Sequence, residues 1–133
     1  MTDLGACLGT GKGTWTNVLK LASRSEFENV FLIVNEWTRN NLQLERQNLN
    51  FVLVTSEAKT SIVRDLIVSQ MKGRVKGFEV AVNMDSGTGK EHAALVTGLM
   101  RLGLALRFVT LEDDKIEEVS YDLGLPAEED KFY

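Results

Sequence analysis

Val80 to Leu95 reads VAVNMDSGTGKEHAAL, and the fold turns on this stretch. Phe78, Val80 and Val82 alternate with Glu79 and Ala81 as in a strand, the pattern breaks at Asn83, and a helix is expected from Glu91 to Arg101. Between them lie Ser86, Gly87, Thr88, Gly89 and Lys90. Strand, glycine loop and helix in that order suit an anion. Glycine lets the backbone come close to an oxyanion, a helix N-terminus offers N–H groups and partial positive charge, and Lys90 adds a full charge. Two familiar nucleotide motifs are excluded. A P-loop needs glycine where Met84 stands and Ser or Thr where Glu91 stands, and a dinucleotide fingerprint needs a third glycine where His92 stands. The alternative for a single such loop is a turn that merely starts a helix.

The tetrapeptide Gly-Thr-Gly-Lys occurs a second time, at Gly9, Thr10, Gly11 and Lys12, after the short apolar strand Leu4 to Leu8 and before a helix with Thr14 as its expected N-cap. Trp15, Val18, Leu19 and Ala22 share one face of that helix. In a doubly wound sheet of order 3-2-1-4-5, strands 1 and 4 are neighbours where the winding reverses, so their loops flank one crevice. Both lysines then face the same ligand.

Working outward, Asn29 to Glu36 and Asn50 to Thr55 read as further strands, and Ala58 to Lys72 as a helix stopped by Gly73. A polar helix is expected over Thr38 to Asn48, with Leu42, Leu44 and Leu49 as its stripe. Leu104 to Leu111 is the fifth strand, Asp113-Asp114 a turn, and Lys115 to Tyr121 a returning antiparallel strand. The alternation predicts a Rossmann-like three-layer α/β/α domain over residues 1–121, with a mainly parallel sheet, a C-terminal antiparallel edge strand and an acidic tail over 122–133.

The chain has 133 residues, 44% hydrophobic and 26% charged, which fits one globular domain. It shows neither a membrane-length apolar run nor a signal-peptide pattern, so a cytoplasmic location with no membrane contact is expected. Cys7 is the one cysteine, which leaves no intrachain disulfide and places it as a buried strand residue. Residues 112–133 hold nine acids against two lysines, leaving thirteen basic and ten acidic residues on 1–111. A body so weakly basic suits a compact anion in a cleft, and not direct binding of double-stranded DNA.

The C-terminal ends of the strands gather Gly9 to Lys12, Trp15, Asn35 to Trp37, Thr55 to Glu57, Asn83 to His92 and Thr110 to Glu112. Lysines and glycine loops serve phosphate; Trp15 and Trp37 serve bases or simply pack. His92 donates to a phosphate, protonates a leaving oxygen or lies on the helix surface or behind the site with no acid–base task, and Asp85 caps the loop, binds a ribose hydroxyl or holds a metal. No ligand set with metal spacing and no nucleophile–base pair appears, so neither metal nor cofactor is expected and an enzymatic role lacks a motif.

Val82-Asn83-Met84-Asp85-Ser86-Gly87-Thr88-Gly89-Lys90, followed by Ala93-Ala94, resembles the strand-4 loop of the CRISPR-associated Rossmann-fold (CARF) sensor domains, and Leu8-Gly9-Thr10 resembles their first loop. Asp85 stands where that family usually has Ser or Thr, and Lys90 lies one residue late. The resemblance, which covers most of residues 1–121, implies an antiviral-defence homodimer clasping a cyclic oligoadenylate second messenger, either as a stand-alone sensor or as a sensor partnering a separate effector protein. It also admits a ring nuclease, in which Lys12 and Lys90 would stabilise the cleaved phosphate. A small enzyme on a phosphorylated metabolite and a non-catalytic structural subunit are the competing readings.

Overall fold

Parallel strands covered on both faces need continuous apolar runs, and Val30 to Val34, within the strand Phe27–Val34, is one: every residue of it is buried. The computed structural model describes residues 2–55 and 57–119, and of Lys12 the backbone alone. The elements in chain order are β1 (Thr2–Cys7), α1 (Trp15–Ala22), β2 (Phe27–Val34), α2 (Glu36–Asn41), β3 (Leu49–Leu53), α3 (Thr60–Met71), β4 (Glu79–Asn83), α4 (Gly89–Arg101), β5 (Ala105–Glu112) and β6 (Lys115–Glu118). A single 3-10 turn, Lys12–Thr14, leads into α1. No helix among the described residues is long and apolar enough to cross a membrane.

The sheet order is β3-β2-β1-β4-β5-β6, with β1 to β5 parallel and β6 antiparallel on the β5 edge. This is the expected α/β architecture. Gly5 of β1 pairs with Val82 of β4, and Ala6 with Asn83, so the two glycine loops leave the sheet side by side. One core cluster joins Trp15, Val18 and Leu21 of α1 to Leu4, Val30 and Leu32. The other joins Val63, Ile67 and Met71 of α3 and Leu95 and Leu99 of α4 to Phe31, Ile33 and Val82. Helices therefore cover both faces. At the open edge of β3 the Gln70 amide accepts from Leu53 N at 2.9 Å and donates to Leu53 O at 2.7 Å, occupying backbone groups that a foreign strand would seek.

Two local expectations are corrected. The helix expected over Thr38 to Asn48 is the shorter α2, which ends at Asn41; Leu42 is already extended, at ψ 134°. Leu42 and Leu44 still pack against the core, but residues two apart reach one surface from extended chain, not from a helix. The second concerns Thr14. It stands at the N-cap position with helical backbone angles, and its side chain makes no capping bond. The returning strand is described as far as Glu118; its expected end at Tyr121 and the acidic tail lie outside the described residues.

Candidate functional site

The two Gly-Thr-Gly-Lys loops touch. Gly9 N donates to Ser86 Oγ at 3.0 Å, and the Thr14 hydroxyl, free of capping duty, lies 2.7 Å from the same oxygen. Backbone meets backbone here: a side chain on Gly9 would begin 3.3 Å from Gly87 Cα and N. Gly87 itself has φ +98°, and a β-carbon on it would sit 3.0 Å from Cys7 Cβ. That position needs glycine twice over, for its angle and for its space. Gly11, Gly13 and Gly89 differ, since a β-carbon on any of them meets nothing among the described residues within 4 Å.

Several expected site residues turn out to hold the loops. His92, in the first turn of α4, donates from Nε2 to the Ser86 carbonyl at 2.7 Å, so this nitrogen carries the proton. Trp15 is buried and its indole N–H donates to Gly9 O at 2.7 Å. Trp37 stands beside it with ring centroids 6.3 Å apart, and at 47% exposure carries the open aromatic surface. Asn83, buried at the end of β4, donates to Val109 O at 2.9 Å and to Asp85 at 3.1 Å.

Thr88, and not Asp85, caps α4. Its hydroxyl accepts from Glu91 N at 3.2 Å while the Glu91 carboxylate accepts from Thr88 N at 2.9 Å, a reciprocal capping box. The glutamate that spoils a P-loop thus has a structural task. Asp85 instead accepts from Asn83 Nδ2 at 3.1 Å and from the Thr110 hydroxyl at 3.3 Å. Gly89 and Lys90 form the first turn of α4, where N–H groups and partial positive charge favour an anion, and Lys90 is half-buried. Thr10 and Gly11 are exposed, and the side chain of Lys12 lies outside the described residues.

Asp85 opens onto a cleft of about 370 Å³ that it shares with Gly13, Thr14, Thr16 and Asn17. Thr16 and Asn17 escaped the sequence reading because they lie beyond the glycine loop, on the exposed face of α1. Thr55 belongs to a separate cleft of about 350 Å³ near Glu36 and Arg39; Ser56 is outside the described residues. Cys7 lies beneath the loops, and burial together with the nearby Glu91 carboxylate raises its pKa far above the ordinary thiol range. It is a neutral packing group. Among the described residues no three of His, Cys, Asp and Glu come together to hold a metal ion.

Chemically, the crevice combines two lysine-bearing loops with one carboxylate that faces the cleft, Asp85, since Glu91 is taken up by the cap of α4. It can neutralise a phosphate and at the same time accept hydrogen bonds from neutral groups of the same ligand. No protein-family model and no curated protein matches the sequence.

Proposed function

We propose that this chain binds an anionic nucleotide, with cyclic oligoadenylate as the expected member of that class, at the crevice between the β1 and β4 loops. Two copies would present their crevices to one ring. The observation that carries the reading is the contact of the two loops through Ser86 Oγ, with Gly9 N at 3.0 Å and the Thr14 hydroxyl at 2.7 Å. Loops bearing Lys12 and Lys90 that adjoin in this way supply charge, N–H groups and close backbone approach to one ligand. Trp37 adds an aromatic face at the same end of the sheet. Binding is better supported than turnover: His92 Nε2 is engaged by Ser86 O, and Cys7 is buried and neutral.

A thermal-shift screen tests the reading, with cyclic oligoadenylates, linear adenylates, mononucleotides and sugar phosphates in parallel. Cyclic oligoadenylate is expected to stabilise the protein most and to move it from monomer to dimer in sedimentation. Lys90→Ala and Lys12→Ala should each weaken binding about ten- to a hundredfold, the worth of one charge-assisted contact. A response to none of these compounds would leave the loops as turns of a structural subunit. A response to mononucleotides or sugar phosphates alone would favour a metabolite enzyme.

A further inference from the structure

We infer that Asp85, with Thr16 and Asn17, forms the pocket for a ribose hydroxyl of the bound nucleotide, beside the loops that take its phosphate. The inference rests on the nucleotide reading above and deepens it.

The Asp85 carboxylate is held from behind. Its Oδ2 accepts from Asn83 Nδ2 at 3.1 Å and from the Thr110 hydroxyl at 3.3 Å, while its own N–H donates to Asn83 Oδ1 at 3.1 Å. Asn83 is in turn buried and tied to Val109 O at 2.9 Å, so strands β4 and β5 together set the orientation of the carboxylate. Among the described residues Oδ1 makes no hydrogen bond, and neither does the Thr16 hydroxyl or the Asn17 amide. All three residues line the same cleft of about 370 Å³.

A carboxylate accepts hydrogen bonds and repels phosphate, so the ligand group opposite Asp85 must be a neutral donor. A hydroxyl both donates and accepts. It can give its proton to Asp85 Oδ1 while Asn17 or Thr16 donates to its oxygen, and it satisfies the mixed lining better than an amino group, which only donates. In a ring of 3′,5′-linked nucleotides the sugar's free hydroxyl is the 2′-OH, so this pocket distinguishes ribose from deoxyribose.

The test uses the full chain with cyclic tetra-adenylate, its all-2′-deoxy counterpart and inorganic triphosphate as probes, titrated calorimetrically. Wild type should bind the ribose ring about ten- to a hundredfold more tightly than the deoxy ring. Asp85→Asn keeps an oxygen for Asn83 and Thr110 and removes the charge facing the cleft. It should erase that preference, lowering affinity for the ribose ring and leaving the deoxy ring and triphosphate unweakened. Asn17→Ala, on the exposed face of α1, should cost about two- to tenfold on the ribose ring alone, and serves if Asp85→Asn alters the thermal midpoint. Equal wild-type binding of both rings, or a variant that weakens both rings equally, overturns the pocket and leaves the nucleotide reading standing. Binding of none of the three probes overturns both.

Discussion

At the N-terminal edge of the parallel strands, Asp3 is completely buried and accepts from Asn29 N and Nδ2 at 3.1 Å and from Lys76 N at 2.9 Å. At the C-terminal edge the corresponding junction between β1 and β4 is made by hydroxyls and glycines, through Ser86, Thr14, Gly9 and Gly87. Both junctions tie the chain before or after β4 to β1. Their chemistry differs in what it leaves over. The carboxylate of Asp3 is spent on its donors inside the protein, and that junction is closed. The hydroxyl junction uses weak, short side chains, keeps backbone near the surface, and leaves Asp85 Oδ1, Thr16 and Asn17 facing a cleft. One junction is internally satisfied, and the other borders a cleft with polar groups to spare.

The comparison can be broken first at Asp3. Asp3→Ala leaves three part-buried donors without their buried acceptor and should cost about 3 kcal/mol in chemical denaturation. A loss below about 1 kcal/mol would mean that water replaces the carboxylate and that the Asp3 junction is not closed.

Next in size is a contrast within the glycine end. Gly87→Ala forces a side chain onto φ +98° and against Cys7 Cβ, for an expected loss of about 2 kcal/mol. Gly11→Ala and Gly13→Ala meet open space at backbone angles outside the left-handed region, and should change stability by less than about 0.5 kcal/mol. Equal losses at all three positions would show that the whole loop, not the Gly87 contact, is tightly packed.

The smallest expected effect is a gain. Thr38, in α2 at the C-terminal end of the strands, is fully buried, and its hydroxyl has no partner among the described residues. Thr38→Val removes that polar atom at constant shape and should stabilise by about 1 kcal/mol, read as a rise of about 4 °C in the thermal midpoint. A fall would reveal a partner for the hydroxyl and bring the two ends closer in character.

Much of the fold is legible in the chain because its signals are local. Apolar runs such as Val30 to Val34 read as strands because they are short and rich in β-branched residues, which suit extended chain buried on two faces. Leu42 and Leu44 misled for a related reason: leucines among polar residues count as a helix stripe unless their spacing of two is weighed. The site was legible in outline, through the repeated Gly-Thr-Gly-Lys. Its assignments were not. Thr14 reads as an N-cap and Asp85 as a loop cap by local rules, yet Thr14 reaches Ser86 and Asp85 is held by Asn83 and Thr110.

What the sequence determined by itself is therefore the series of strands and helices and the two glycine loops between them, because hydrophobic period and glycine act over a few residues. Only the tertiary structure decided which polar groups the fold consumes and which it leaves facing a cleft. Ser86 finds Gly9 and Thr14 more than seventy positions away, and Asp3 finds Lys76 at 73. Such partners follow from the pairing of β1 with β4, and a hydroxyl or carboxylate is either satisfied or available only once that pairing exists.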